Sequence, residues 1–349
     1  MTFDFDAHQL TAIKEYTPKY PFYQEFANVL RDILIKSLAQ IPVKVHSIEA
    51  RAKTPESFAR KAVTPSGENP NQPKYDRPLE QITDLSGVRF ITFLPRTVDD
   101  VCKCIEEQFE VVERVDHGLS LLQLERFGYQ SVHFIISLNA QRLALPEYQR
   151  FSGSKAEIQV RTILQHAWAE IEHDIGYKSS HVIPIVIRRR FASLAGMLEI
   201  ADREFQGIQD EDLSLRTEAI TSIQEGMLDT IEITPYALKA YLDKHLGSDD
   251  RMTDFSYDWE VRLLHKLGFS NLDQVNKCIE KFDDDRISRI ISGGRQGQLT
   301  RFEYLLLAAM GEAYISKHPF DKFPWFAEPE KGYLRKLEEA GIKGNYRPS

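Results

Sequence analysis

The chain is sparing with cysteine. Cys102, Cys104 and Cys278 are the three among 349 residues. That is too few for a disulfide framework, and it points to a reducing, cytoplasmic setting. Cys102 and Cys104 have no second Cys or His pair to complete a zinc set, so ordinary thiols are expected. Long apolar runs are missing too. No stretch reaches the roughly 18 apolar residues of a membrane span, so no membrane partner is expected. The opening residues, MTFDFDAHQL, are acidic and lack the basic-then-apolar plan of a secretory signal. Positive charge is in the minority, 44 Lys and Arg against 52 Asp and Glu, for a net −8. This excludes a surface coated for nucleic acid but leaves room for a local basic patch. Internal repeats and low-complexity runs are absent.

What is present is 42% hydrophobic residues in a length suited to two domains. Residues 20–40 place Phe22, Phe26, Val29, Leu30, Ile33, Leu34 and Leu38 at helical spacing, an amphipathic helix fit to cover a sheet. Val43 and Val45 begin an alternation that predicts a strand ending near Ala50. Thr54-Pro55-Glu56 opens a helix. Residues 64–79, with four prolines, predict a loop. Strands are expected at 87–94, 110–115 and 129–138, with a helix between the first two. The fold class is therefore α/β (α+β): a mixed sheet flanked by helices, followed by a mainly helical C-terminal domain. Two domains are expected, 1–225 and 226–349.

The most informative stretch is AEIQVRTILQHAWAEIEHDIGYK, 156–178. Glu157, Gln159 and Arg161 alternate with Ile158 and Val160, the period of a half-buried strand with one polar face. From Thr162, a candidate cap, the period turns helical, with Ile163, Ala167, Ile171 and Ile175 at helical spacing and Leu164 and Trp168 beside them. Surface charge at a strand–helix junction is the plain alternative. A second cluster is Arg51, Lys53, Ser57 and Lys61, spaced to meet around a helix N-terminus, itself an anion site. A third is Asp84, Gly87 and Arg89, a carboxylate ahead of an apolar strand with a glycine that permits a tight approach. A turn residue is the even alternative for Asp84. A fourth is Gly128, Tyr129, Ser131 and His133, whose alternation puts the last three on one strand face.

Together these four elements resemble the synthetase domain of the RelA/SpoT family, the alarmone synthetases, over about residues 40–180. The resemblance implies a nucleotidyltransferase-like fold and a pyrophosphokinase. It implies Mg²⁺ on Asp84 and Glu157, with Glu157 also taking the proton from an attacking 3′-hydroxyl. ATP, the pyrophosphate donor, would meet Arg51, Lys53, Ser57, Lys61 and Arg89, the two arginines flanking adenine. The acceptor would meet Tyr129, Ser131, His133, Gln159, Arg161 and His166.

Three departures refine this. Only about 40 residues precede the first strand, too few for the hydrolase domain of long family members, so product hydrolysis is not expected. The acceptor loop reads LERFGY, with Glu125 where the family has a phosphate-binding lysine. A carboxylate there opposes a free acceptor diphosphate. The 226–349 extension resembles no regulatory module of the long enzymes. The layout is most similar to fused toxin–antitoxin small alarmone synthetases of the CapRel type. That resemblance implies transfer to the 3′-CCA end of tRNA, inhibition of translation, and a C-terminal antitoxin that senses a phage protein. An alarmone synthetase making (p)ppGpp or (p)ppApp, using guanine or adenine nucleotides, is the second reading. A catalytically silent nucleotide sensor is the third. Arg188, Arg189 and Arg190 are candidates for RNA contact, a solvated helix face being the alternative. The sequence leaves the oligomeric state open.

Overall fold

The computed structural model describes residues 3–116, 131–178, 184–248 and 253–348. The chain forms two compact units, Met1–Ile208 and Gln209–Ser349.

Unit 1 opens with α1 (Phe5–Tyr16), capped by Asp4, which accepts from the Ala7 amide at 3.0 Å. Next come α2 (Tyr20–Leu38), β1 (Val45–Ala52) and α3 (Pro55–Ala62). A short α4 (Pro78–Gln81) leads into β2 (Ser86–Thr92), α5 (Pro95–Gln108) and β3 (Glu110–Asp116). β4 (Val132–Ser137), α6 (Ala140–Leu143) and α7 (Pro146–Gln149) precede β5 (Ala156–Thr162) and α8 (Ile163–Lys178). The long α9 (Ile185–Glu225) runs on into unit 2. The mixed sheet expected from sequence is present, with strand order β1-β2-β5-β4-β3. Only β2 and β5 pair in parallel; the other neighbours are antiparallel.

Strand alternation divides this sheet into two faces. Val88, Phe90, Phe134, Ile136, Ile158 and Val160 point one way. They pack beneath α2 and α5 through Phe26, Leu30, Leu34, Val101 and Ile105. Cys102 and Cys104 belong to this core, and burial pushes the Cys102 thiol up to about 12. The other face carries the polar residues. A smaller core of Ala12, Tyr16, Phe58, Ala62, Ile82 and Leu85 ties α1 and α3 to the strand ends.

The structure adds to the sequence reading in three places. Helix α1 carries no strong apolar period and was not foreseen. The 64–79 loop is partly ordered: the Ser66 amide donates to the Gln72 carbonyl at 2.9 Å and Lys74 to Thr64 at 2.7 Å. Helix α8 forms as its spacing indicates, and within its apolar set burial is uneven. Ile171 is 56% exposed, whereas Trp168 is buried and donates to the Phe191 carbonyl at 3.1 Å.

Unit 2 adds α10 (Pro235–Leu246), α11 (Asp254–Leu267), α12 (Leu272–Ile279) and α13 (Asp284–Ser292). α14 (Gln298–Met310), α15 (Glu312–Lys317) and α16 (Pro324–Glu339) complete it. Their apolar sides share a core built on Leu238, Leu242, Leu264, Phe302 and Leu306. The tail returns onto the end of α14, where the Tyr346 amide donates to the Ala309 carbonyl at 2.9 Å. A Cβ at Gly344 would stand 2.1 Å from the Ala308 carbonyl oxygen, so only glycine fits.

Candidate active site

The polar sheet face sets the site. Register places Arg51 beside Gly87, Gly87 beside Glu157, and Glu157 beside Ile135. Two residues along, Glu49, Arg89, Gln159 and His133 form the neighbouring row. Gly87 is therefore a strand residue between Arg51 and Glu157. A Cβ there would meet backbone oxygens no nearer than 3.7 Å, an ordinary contact. The glycine leaves the floor between the Arg51 and Glu157 side chains bare.

Asp84 lies just before β2. Its Oδ2 accepts from Lys53 Nζ at 2.9 Å and from Lys61 Nζ at 2.8 Å. Lys53 follows the last residue of β1, and Lys61 lies in the last turn of α3. Burial raises the Asp84 carboxyl, but the two ammonium groups outweigh it and hold the group below the usual range. The surroundings pin this geometry. The Tyr16 hydroxyl donates to the Lys53 carbonyl at 2.7 Å, and the Lys53 amide donates to Leu85 at 2.9 Å. The Ala52 amide donates to Gln24 Oε1 at 3.1 Å, and Ser86 Oγ donates to the Tyr23 carbonyl at 2.8 Å. Ser57, in the first turn of α3, bonds through Oγ to Thr54 Oγ1 at 3.0 Å and Arg60 at 3.2 Å. Thr54 caps that helix, as the sequence indicates. Arg51 is exposed at the open end of its row.

Glu157 is held at both oxygens, by His133 Nδ1 at 3.0 Å and by Gln159 Nε2 at 2.9 Å. Burial raises its carboxyl, but the His133 and Gln159 contacts bring it below the normal value despite the nearby Asp84. At neutral pH both acids are ionised. Asp84 Oδ1 is buried and has no hydrogen-bond partner among the described residues. An orphaned carboxylate oxygen beside a second carboxylate fits a divalent cation. No group of three or more metal-ligating side chains exists among the described residues. Such an ion would complete its shell with phosphate oxygens and water, which suits Mg²⁺.

A residue passed over in the sequence organises the remaining basic groups. Glu170 Oε1 meets Arg89 NH1 at 3.0 Å, Arg161 NH2 at 3.2 Å and His166 Nδ1 at 3.6 Å. Its signal was the four-residue step from His166 along α8. Burial raises the Glu170 carboxyl, while Arg89 and Arg161 overcome this and lower it. Burial, reinforced by Arg161, lowers His166. The β5–α8 junction is fixed by a reciprocal cap. Thr162 Oγ1 accepts from the Gln165 amide at 3.2 Å, and Gln165 Oε1 accepts from the Thr162 amide at 2.9 Å. Thr162 Oγ1 also donates to Asp202 at 2.7 Å.

The structure thus brings Asp84, Lys53, Lys61, Glu157, His133 and Gln159 to one face. It sets Arg89, Arg161 and His166 around Glu170. Ser131 precedes β4 and is buried, with no hydrogen-bond partner for its hydroxyl among the described residues. Tyr129, Gly128 and Glu125 lie outside the described residues. Arg188, Arg189 and Arg190 are all exposed in the first turns of α9.

Residues 50–182 match a family model described as the region found in RelA / SpoT proteins. GTP pyrophosphokinase YwaC of Bacillus subtilis (strain 168) is 30% identical over 134 residues, 38% of this chain and 60% of that protein. GTP pyrophosphokinase YjbM of the same strain is 28% identical over 143 residues, 38% of this chain and 62% of that protein. The chain therefore spans about 60% of the length of these curated relatives. Among solved structures, small alarmone synthetase 1 from Bacillus subtilis aligns with 58% of this chain and 99% of its own, at 22% identity and a TM-score of 0.46.

Proposed function

We propose that residues 1–225 form an ATP-dependent pyrophosphokinase that modifies a ribose 3′-hydroxyl, foremost that of the tRNA 3′-CCA end. One observation supports this above the rest: the Asp84–Lys53–Lys61 group and the Glu157–His133–Gln159 group share one sheet face across the bare Gly87. In this reading Lys53, Lys61 and Ser57 bind the ATP phosphates, and Arg51 and Arg89 flank the adenine. Asp84 and Glu157 hold Mg²⁺, which when bound would neutralise phosphate charge and ease ionisation of the hydroxyl. The acceptor 3′-oxygen forms a bond to the β-phosphorus and the α–β bridging bond breaks. AMP leaves with that electron pair, and the hydroxyl proton passes to Glu157. The low-lying Glu157 carboxyl is ready as an acceptor at neutral pH and depends on the metal for driving force. Catalysis rests mainly on positioning and charge.

The RNA acceptor is supported by Glu125, whose charge opposes a free diphosphate. The names of the two curated relatives favour a second reading, transfer to GDP or GTP or an adenine nucleotide to make (p)ppGpp or (p)ppApp. For residues 226–349 we propose a fused antitoxin that restrains the enzyme and answers to a phage protein. It is supported by an aromatic surface in which Trp259 stacks on Phe320 at 5.4 Å, beside the exposed Phe323 and Trp325. Such rings favour protein partners.

The test gives γ-labelled ATP to the full chain and to a chain ended at Glu225, with bulk tRNA, GDP, GTP and ADP side by side. Label on tRNA, stronger for the shortened chain, supports the proposal. Label on a free nucleotide establishes the second reading, and Glu125→Lys should then change little. ATP binding without transfer leaves a silent sensor.

A further inference from the structure

A buried guanidinium is costly unless an anion meets it. Arg161 is 3% exposed, and Arg89 is largely covered on the same face. The anion they meet is the carboxylate of Glu170, itself 52% exposed and reaching inward from α8. All three cationic or polar neighbours converge on a single oxygen, Oε1. Arg89 Nε stays buried without a hydrogen-bond partner among the described residues. Glu49 is the other acid near Arg89, at 4.0 Å. Arg89 therefore keeps a donor that the Glu170 oxygen does not use. A phosphate, with several oxygens at wider spread, matches a guanidinium fork better.

We propose that Glu170 is an internal stand-in for a ligand phosphate, seated between Arg89, Arg161 and His166 in the free protein and displaced when a polyphosphate arrives, the guanidinium edge of Arg89 meeting the phosphate while its face is left to the adenine. Its half-exposed side chain can turn into water by its own rotations, while Arg161 is fixed by burial. Glu170 thus keeps the buried charges neutralised and sets a threshold that an incoming anion must exceed. It is a specificity-determining residue: weakly charged anions do not displace it. The inference takes from the proposed function only the ligand class.

The test is calorimetric titration of the full chain with inorganic pyrophosphate, comparing the parent with Glu170→Gln and Glu170→Ala. Both should bind on the order of fivefold tighter or more, the lower range of a site-to-site coupling. Parallel titrations with ATP and GDP identify the source of the phosphate, which shows the larger gain. On the unaltered protein, carbodiimide labelling of Glu170, read by mass spectrometry, should rise when pyrophosphate is added. Affinity that is unchanged or weaker in both variants, or labelling insensitive to pyrophosphate, overturns the proposal and leaves Glu170 a bracing residue. Neither readout needs pyrophosphate transfer, so failure of the proposed activity would not be mistaken for failure here.

Discussion

Lys53 and Lys61 share one oxygen of Asp84, at 2.9 and 2.8 Å, although they come from a strand end and a separate helix. The other oxygen of Asp84 is buried and unpartnered. In the proposed mechanism this carboxylate parks the two ammonium groups meant for phosphate while its other oxygen is left for a metal ion. Asp84→Asn should lower kcat/KM for pyrophosphate transfer by about 10²-fold or more. Metal-free ATP should bind at least as well, because the ammonium groups are released. A variant with parental kcat/KM would remove Asp84 from the chemistry.

The His133 contact keeps Glu157 ionised against burial. In His133→Ala burial dominates and the carboxyl rises. The proposed mechanism uses the ionised form, so the acid limb of the kcat/KM profile should move to higher pH. A limb at the same pH would mean that Glu157 is not the group titrating.

Tyr16 reaches the site through the Lys53 carbonyl, with its ring stacked 4.3 Å from Phe58. Tyr16→Phe keeps the packing and removes the donor. Thermal or urea unfolding should show a loss of about 1 to 2 kcal/mol. KM for ATP should rise more than kcat falls. A shift confined to kcat would argue against this route to Lys53.

In unit 2, burial and the neighbouring Glu303 raise Glu330 to about 7 and push the 2%-exposed Glu260 well up. Raised acids add stability below their unfolded value, about 4.3, and lose it as pH climbs through the folded value. Burial lowers His318, stacked 3.9 Å from Phe326, to about 4, which works in the opposite sense as pH falls below about 6.5. Urea unfolding should therefore show Glu330→Gln gaining up to roughly 3 kcal/mol over the parent at pH 8 and almost nothing at pH 4. An equal gain at both values would exclude titration as the cause.

Much of this site was legible from spacing. The alternation in β5 put Glu157, Gln159 and Arg161 on one face, and the structure keeps them there. The cap at Thr162 was visible because its partner lies three residues away. What escaped is what depends on distant segments. Tyr16 acts on Lys53 across 37 residues, and no local pattern announces that. Glu170 was in plain view within HAWAEIEH, but its role follows from where β2 delivers Arg89. In α8 the spacing gave the helix and its apolar set, Trp168 included, but not which neighbour covers it; Trp168 is the buried member.

The sheet's division into an oily side and a working side has an evolutionary corollary. Along β5, Glu157, Gln159 and Arg161 belong to the candidate site and the positions between belong to the fold. Substitutions can therefore accumulate in one register without taxing the other, and a descendant can change what its site binds while inheriting the same scaffold. Insertions and deletions have no such licence: removing one residue from β5 would exchange the two sets and end both inheritances at once.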